Sequence, residues 1–172
     1  HPSVIAHPAP STFLDSLIGR TFVSSSRRGK YLLFHLDDGS RLVLHLRMTG
    51  CLVAAPHHHE GIPHTHLVIS LDDGIELRYS DYRRFGRFWL LSENESDSIT
   101  GMDSLGLEPW DPEMDATYLR DRMHTSRRSV KECLLNQHIV AGIGNIYSDE
   151  ILHSSGILPF RKACSLTDDE FS

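Results

Sequence analysis

Basic residues gather in three short clusters, and each cluster includes turn-forming residues. The clusters are Arg27-Arg28-Gly29-Lys30, Arg83-Arg84-Phe85-Gly86-Arg87 and Arg127-Arg128-Ser129-Val130-Lys131. Arginine and lysine neutralise phosphates, and an aromatic side chain such as Phe85 can wedge between stacked bases. A single cluster is most simply a solvated surface. Three clusters at the predicted ends of elements, in an acidic chain, favour a nucleic acid as the partner.

A second candidate site is the segment 140–150, in which Gly142 and Gly144 precede Asn145. Glycines permit a tight turn, and Asn145 can cap the helix that the following apolar periodicity predicts. Backbone N–H groups at such a turn bind anions, most often phosphate. The alternative is that the glycines only shape a loop. A dinucleotide-binding fingerprint is excluded, because Tyr147 occupies the place of its third glycine.

Met48 follows Arg47 at the end of a predicted strand and the start of a turn. A methionine at an exposed tip is unusual, because its side chain normally packs in cores. Met48 is therefore either a wedge that enters DNA or an ordinary core residue.

Histidines form a separate cluster in the middle of the chain. His64 and His66 lie two apart at a strand start, and the tripeptide 57–59 is nearby. Two histidines on one face of a strand can bind a metal. A polar surface loop explains the same pattern, so we assign no metal ligand and keep a metal hydrolase only as a third hypothesis.

The composition is that of a globular chain of 172 residues with 40% hydrophobic residues and a formal net charge of -6. The negative total argues mildly against a nucleic-acid partner, so the distribution of charge is the better guide. Its three cysteines are far apart, which predicts neither a zinc ribbon nor a disulfide framework and favours a reducing cytoplasm. No apolar run is long enough to span a bilayer, so we expect no membrane partner.

The elements that must position these residues begin with a β-rich region. Alternating apolar residues and the turns Asp37-Asp38-Gly39 and Asp72-Asp73-Gly74 predict two hairpins within an antiparallel β-sandwich. A helix is predicted over 11–19, and residues 1–10 are predicted to be loop. The predicted strands are 30–36, 41–46, 50–54, 66–71, 75–79 and 87–91.

Helical periodicity replaces strand alternation after about residue 92. Helices are predicted over 117–123, near 130–136 and from Asn145 onward, and a further helix starts near Ser165 or Thr167. The fold class is therefore α+β, an antiparallel β-sandwich followed by a helix–two-turns–helix domain. The predicted limits are 1–92 for the sandwich, 93–110 for a linker and 111–172 for the helical domain. Because the last helix begins but is not completed, we expect a longer parent protein.

Seven stretches resemble the formamidopyrimidine-DNA glycosylase family, which also includes endonuclease VIII. They are in family order and cover nearly the whole chain. The stretches are Arg27-Arg28-Gly29-Lys30-Tyr31-Leu32-Leu33, His45-Leu46-Arg47-Met48-Thr49-Gly50, His64-Thr65-His66, Tyr79-Ser80-Asp81-Tyr82-Arg83-Arg84-Phe85-Gly86, Leu105-Gly106-Leu107-Glu108-Pro109, Gly142-Ile143-Gly144-Asn145-Ile146-Tyr147-Ser148-Asp149-Glu150 and Gly156-Ile157-Leu158-Pro159.

The resemblance implies base-excision repair of double-stranded DNA. It implies removal of 8-oxoguanine and formamidopyrimidines by base flipping, then cleavage of the abasic site by β,δ-elimination. It also implies a monomer at the nucleoid in a bacterial cytoplasm. The residues implied to fill the space left by the flipped base are Met48, Arg83 and Phe85. The residues implied to contact DNA phosphates are Lys30, His64, Arg84 and Asn145.

The sequence departs from the family pattern at both ends. The family's nucleophile is the amine of an N-terminal proline that glutamate follows, whereas this sequence opens His1-Pro2-Ser3. It also lacks the four cysteines of the C-terminal zinc finger, so zinc is expected in the full-length family member without ligands from this chain. We predict an internal piece of a glycosylase that is inactive alone. A catalytically inactive protein that binds damaged DNA on the same scaffold is the alternative.

Overall fold

The computed structural model describes residues 1–58 and 61–171. The chain divides into two compact units, His1–Ser96 and Asp97–Ser172. Each unit has its own hydrophobic core. The predicted linker at 93–110 contains the point of division, and the finer domain limits of 92 and 111 remain predictions.

The first unit consists of two sheets and one helix. The larger sheet has the strand order β1-β8-β4-β3-β2 and the smaller has the order β5-β7-β6. The strands are β1 Ile5–His7, β2 Phe22–Arg28, β3 Tyr31–Leu36, β4 Arg41–His45, β5 Gly50–Pro56, β6 Thr65–Ser70, β7 Ile75–Asp81 and β8 Arg87–Leu91. The helix is α1, Pro10–Leu17.

Both sheets contribute to one core, which makes this unit a sandwich. Leu42 and Phe88 of the larger sheet and Tyr79 of the smaller sheet are almost fully buried there, together with Phe13 of α1. The predicted hairpin turns end on Gly39 and Gly74, whose φ angles of 80° and 81° favour glycine. The predicted α+β fold class, with a β-sandwich first, is therefore confirmed.

Two strands and one helix end depart from the predictions. Residues 1–10 are not all loop, because Ile5–His7 forms β1, which pairs parallel to β8 and departs from the antiparallel pattern. The polar strand β2, at the sheet edge, pairs only with β3 and carries no clear alternation. Helix α1 ends at Leu17, two residues earlier than predicted. Strand β1 depends on a distant partner, β8, which local patterns do not report.

The second unit consists of short helices around a separate core. They are α2 Ala116–Met123, α3 Val130–Leu135 and α4 Asn145–Ser154. The hydroxyl of Ser129 and the carboxylate of Glu132 form a capping box at the start of α3. The predicted last helix is a 3-10 turn, Asp168–Phe171. None of the helices within the described residues has the length and apolar character that crossing a bilayer requires.

The cap of α4 differs from the prediction. Gly144 occupies the N-cap position without a side-chain hydrogen bond, and Asn145 is the first helical residue. The prediction that Asn145 caps the helix is therefore wrong. A glycine at this position leaves the backbone N–H groups of the first turn uncovered by a capping side chain.

Candidate nucleic-acid interface

Strand pairing in the first unit brings most of the predicted site residues to one end of the sandwich. Gly50 at the start of β5 pairs with Asp81 at the end of β7, and Thr65 at the start of β6 pairs with Ser80. In the other sheet, His45 at the end of β4 pairs with Arg87 and Tyr31. Short connections join the sheets here. The turns that carry Lys30, Met48, His64, Arg83, Arg84 and Phe85 therefore share this end.

The Met48 turn and the Arg83 turn meet through their side chains. Met48 is 73% exposed and Phe85 is 45% exposed, so the core-packing interpretation of Met48 is wrong. The Arg83 guanidinium lies over the Phe85 ring, 4.4 Å from its centroid. Arg83 Nη1 also lies 3.3 Å from Met48 Sδ. Arg83 thus contacts both of the other residues implied to fill the space left by a flipped base, Met48 and Phe85.

Beneath this tip, the carboxylate of Asp81 accepts hydrogen bonds from both turns. Its side chain is buried, with 1% exposure. Oδ1 accepts from the Thr49 hydroxyl and from the N–H of Arg83, the latter at 3.1 Å. Oδ2 accepts from the Tyr79 hydroxyl at 2.8 Å and from the N–H groups of Phe85 and Gly86 at 2.8 and 3.0 Å. Five donors therefore surround one buried anion.

This environment fixes the charge states of Asp81 and Tyr79. Burial by itself would raise the pKa of the Asp81 carboxyl, but the Gly86 N–H, the Thr49 and Tyr79 hydroxyls and the Arg83 N–H outweigh it. The pKa of Asp81 is therefore well below its usual range. Burial, followed by the hydrogen bond and the charge of Asp81, raises the pKa of Tyr79. Asp81 is ionised and Tyr79 is a neutral donor near neutral pH.

Two glycines leave the room that this arrangement needs. A Cβ atom on Gly86 would lie 1.8 Å from Tyr79 Oη, and one on Gly50 would lie 2.9 Å from the same oxygen and 2.4 Å from the carbonyl oxygen of Leu46. All three contacts are closer than real Cβ atoms allow. Glycine is needed at both positions because neighbouring atoms approach the backbone too closely for a Cβ atom.

Left-handed backbone conformations concentrate at the same end of the sandwich. Among the described residues, the non-glycine residues with positive φ are Arg47, His64 and Arg84, at 58°, 58° and 56°. Such conformations cost roughly 1–3 kcal/mol each and tend to cluster at functional sites. The Asp81 N–H donates to the His64 carbonyl at 3.1 Å, and the Arg84 N–H donates to the Asp81 carbonyl at 3.2 Å. Both strained residues are thus tied to the backbone of Asp81.

Lys30 lies in the turn between β2 and β3, close to the half-buried His45. Burial lowers the pKa of Lys30. Burial, assisted by the charges of Arg47 and Lys30, lowers the pKa of His45 to about 4. The Nδ1 atom of His45 accepts the N–H of Arg47 at 3.0 Å, and the Tyr31 ring lies edge-on to its imidazole at 4.7 Å. His45 is therefore neutral near pH 7 and supports the turn that leads to Met48.

The other histidines do not form a metal site in the described part of the chain. His57 is paired with Glu76, His66 Nε2 lies 2.8 Å from the Asp81 carbonyl oxygen, and the His64 ring lies edge-on to Tyr82. Residues 1–58 and 61–171 contain no group of three potential ligands. The remaining candidate, His59, lies outside the described residues.

Asn145, the seventh predicted residue, lies in the second unit at the start of α4. Asn145, Ile146 and Tyr147 are all exposed. The first intrahelical bond runs from the N–H of Ser148 to the carbonyl of Gly144, at 2.9 Å. The N–H groups that precede Ser148 in this first turn have no intrahelical acceptor.

The side chain of Gln137 holds the turn before α4. Its Nε2 donates to the carbonyls of Leu135 and Ile143 at 2.9 and 2.8 Å, and its Oε1 accepts the N–H of Gly142 at 2.9 Å. Gly142 has a φ of 88°, which suits glycine. The half-buried amide of Gln137 thus fixes the turn before Asn145, a role that its sequence context did not indicate.

The third basic cluster is partly neutralised. Arg127 and Arg128 are exposed before α3, whereas Lys131 Nζ forms an ion pair with Asp149 Oδ1 of α4 at 2.6 Å. Two acidic residues of the family-like stretches, Asp81 and Glu150, have separate environments. Asp81 is a buried hydrogen-bond acceptor in the first unit, and Glu150 is an exposed residue of α4 in the second.

Family comparisons agree with this division into a sandwich and a helical unit. The model of the formamidopyrimidine-DNA glycosylase N-terminal domain matches residues 1–88. The model of the H2TH domain of the same glycosylases matches residues 105–172. The chain therefore belongs to the formamidopyrimidine-DNA glycosylase family, which confirms the resemblance found in the sequence.

Individual relatives match along almost the whole chain. The formamidopyrimidine-DNA glycosylase of Moorella thermoacetica is 49% identical over 170 residues, which are 99% of this chain and 62% of the relative. That of Desulforamulus reducens is 44% identical over 172 residues, with the same coverage. The chain thus spans 62% of the length of these two relatives.

Solved structures show the same fold. A crystal structure of the Lactococcus lactis glycosylase bound non-covalently to DNA containing an AP site matches with a TM-score of 0.91 and 32% identity. The match covers 99% of this chain and 65% of that one. The same glycosylase in complex with DNA containing FAPY-dG matches with a TM-score of 0.92 and 32% identity, covering 99% and 64% of the two chains.

Proposed function

We propose that this chain is the lesion-binding part of a base-excision repair DNA glycosylase that acts on oxidised purines in double-stranded DNA. The substrates would be 8-oxoguanine and formamidopyrimidines, flipped out of the helix before the glycosidic bond is broken. The observation that carries the proposal is the contact of Met48, Arg83 and Phe85 at one exposed tip. The Lactococcus lactis complexes with AP-site and FAPY-dG DNA support the choice of partner.

The tip has the chemistry that a flipped base requires. Extrusion of a base leaves an apolar gap between stacked neighbours and an unpaired base on the other strand. Apolar and planar side chains can fill such a gap. Met48 is long and apolar, Phe85 is planar, and the Arg83 guanidinium combines a planar surface with hydrogen-bond donors. We assign the gap-filling role to these three side chains.

Phosphate binding is assigned to the cations around the tip and to the start of α4. Lys30, His64 and Arg84 are exposed at the tip end of the first unit. Asn145 is exposed in the second unit, where the helix start favours an anion. Contacts of this kind position a protein on DNA without reading the bases. They would supply affinity, and the tip would supply the preference for a lesion.

We further propose that the complete enzyme cleaves the abasic site by β,δ-elimination. A secondary amine of an N-terminal proline can add to the aldehyde carbon of the opened abasic sugar, and loss of its oxygen as water then gives an iminium, with a glutamate moving the protons. The 172 residues contain no terminal Pro-Glu pair. The chain by itself would therefore bind damaged DNA without cutting it.

The zinc implied by the family is assigned to a part of the enzyme outside these residues. Cys133 is buried, whereas Cys51 and Cys164 are exposed, and the described residues form no group of three potential ligands. A four-cysteine site therefore does not fit this chain. No chemical step depends on zinc here. We also propose a monomer that works on the bacterial chromosome.

Binding and trapping assays test the proposal together. Fluorescence anisotropy at one fixed salt concentration would compare duplexes that contain 8-oxoguanine, an abasic analogue or only normal bases. We expect tighter binding to the two damaged duplexes, and equal affinity for all three would overturn the lesion-binding assignment.

Borohydride treatment with 8-oxoguanine DNA should trap no covalent complex with this chain, whereas the parent enzyme should be trapped. A parent enzyme that binds lesions without trapping would support the inactive binding protein instead.

A further inference from the structure

We infer that Asp81 is a positioning residue whose carboxylate holds the Met48 turn and the Arg83–Phe85 turn as one rigid tip. The inference rests on the proposed function, because it concerns the side chains assigned there to the gap. Asp81 itself is buried and does not reach the surface. It acts through the residues that it holds.

The two carboxylate oxygens of Asp81 accept hydrogen bonds from different donors. Oδ1 accepts one bond from each turn, from the hydroxyl of Thr49 next to Met48 and from the N–H of Arg83. Oδ2 fixes the far side of the second turn through the N–H groups of Phe85 and Gly86. One side chain therefore sets the separation between Met48 and Arg83, whose atoms approach within 3.3 Å at the surface.

Only an ionised carboxylate suits this place. Thr49, Tyr79 and three backbone groups all donate toward Asp81. A carboxylate accepts hydrogen bonds at both oxygens. Asparagine would place an NH₂ group where one of these oxygens lies, and that group cannot accept a hydrogen bond from the surrounding donors. A buried charge is tolerated here because every direction around it supplies a hydrogen bond.

The same residue ties the phosphate-binding side chains through its backbone only. Its N–H donates to His64 and its carbonyl accepts from Arg84. A substitution of the Asp81 side chain keeps these two bonds. The side chain should therefore control the gap-filling tip, while general contact with DNA depends on groups that remain. This separation gives a readout that a general loss of structure would not produce.

The test uses the whole 172-residue chain and a duplex with an abasic analogue opposite 2-aminopurine. The fluorescence of 2-aminopurine rises when the tip enters and unstacks it. Asp81→Asn should lower the preference for this duplex over undamaged DNA by about tenfold, since several bonds to a charged acceptor are lost. It should also lose the fluorescence rise at saturating protein, while affinity for undamaged DNA changes less than about twofold. Asp15→Asn, an equal charge change at an exposed position of α1, is the matched control and should behave like wild type.

The outcomes separate the inference from the proposed function. A wild-type chain without lesion preference would overturn both. A wild-type chain with preference, together with Asp81→Asn that keeps the preference and the fluorescence rise, would overturn the inference alone. If Asp81→Asn does not fold, Thr49→Val decides, because it removes only the hydroxyl bond to Oδ1 next to Met48. A folded Thr49→Val variant should lose part of the fluorescence rise, and an unchanged rise would overturn the link between the turns.

Discussion

The guanidinium carbon of Arg83 lies 4.4 Å from the centre of the Phe85 ring, in the stacked position of a cation–π contact. Two planar groups are therefore packed against each other in the chain itself, before any DNA is present. A pre-assembled stack loses less conformational entropy on binding than two free side chains would lose. Both side chains remain exposed in this stack.

Truncation of the tip should reduce lesion discrimination more than general affinity. We expect Phe85→Ala to lower the preference for an 8-oxoguanine or abasic duplex by about tenfold, because stacking of a base on an aromatic group is worth about 1–3 kcal/mol. Met48→Ala should lower this preference too, because its long apolar side chain would no longer fill the gap. Anisotropy titrations against damaged and undamaged duplexes measure the ratio. Ile18→Ala removes another exposed apolar side chain, outside both tip turns, and should leave the ratio unchanged. Equal losses on both duplexes would contradict the wedge assignment.

Loss of the Asn145 side chain should weaken all complexes alike. Asn145→Ala removes one polar group at the start of α4, so we expect about a fivefold weaker affinity, in line with the loss of roughly 1 kcal/mol for one hydrogen bond. The factor should be the same for damaged and undamaged DNA, since phosphate contacts carry no base information. Asn94→Ala, at an exposed position in the first unit, serves as the control. Unchanged affinity at fixed salt would exclude a phosphate contact by Asn145.

A methyl group at Gly86 should destabilise the first unit. Its Cβ would lie 1.8 Å from Tyr79 Oη, and relief of such an overlap typically costs about 1–3 kcal/mol or more. Denaturation followed by the fluorescence of the buried Trp89, in a Trp110→Phe background, reports on this unit. Gly61→Ala should be close to neutral, since its Cβ would meet nothing within 4 Å. If the Gly86→Ala variant is as stable as the Gly61→Ala variant, the Tyr79 hydroxyl does not lie as close to Gly86 as described.

The neutral His45 predicts a loss of stability in mild acid. Its pKa is about 4 in the folded chain and about 6.5 in an unfolded chain. The unfolded chain therefore binds the proton first, and the stabilisation present above pH 6.5 is lost as the pH falls toward 4. The full effect is at most roughly 3 kcal/mol. His45→Gln should flatten this part of the stability profile, as measured by urea unfolding at pH 7 and pH 4.5, whereas an identical slope in the variant would contradict a neutral His45.

Local patterns predicted the elements whose chemistry is contained in a few neighbouring residues. The turns that end on Gly39 and Gly74 and the Gly142 turn before α4 were found because the glycines stand beside periodic apolar runs. Strand β1 was missed because three residues carry too little pattern, and its hydrogen bonds come from β8, more than eighty positions away along the chain. Such pairing is a tertiary property.

In the candidate site too, some features could be predicted from the sequence and others depend on tertiary contacts. Met48, Arg83 and Phe85 were identified through family resemblance, and the structure adds that they touch. The structural role of Asp81 was not predicted, because its donors come from the separate turn at Thr49 as well as from the turn that follows it. The role of a buried carboxylate depends on the donors around it, and these donors come from separate segments of the sequence.

The primary amide of Gln137 has no proton to gain or lose in the physiological range and carries no net charge. The turn that it braces before α4 should therefore keep its shape in acid and in concentrated salt. Attraction of a phosphate to the same helix start is screened by ions. A salt titration of DNA binding would thus report the ionic contact at this helix, undisturbed by any reshaping of the turn that presents it.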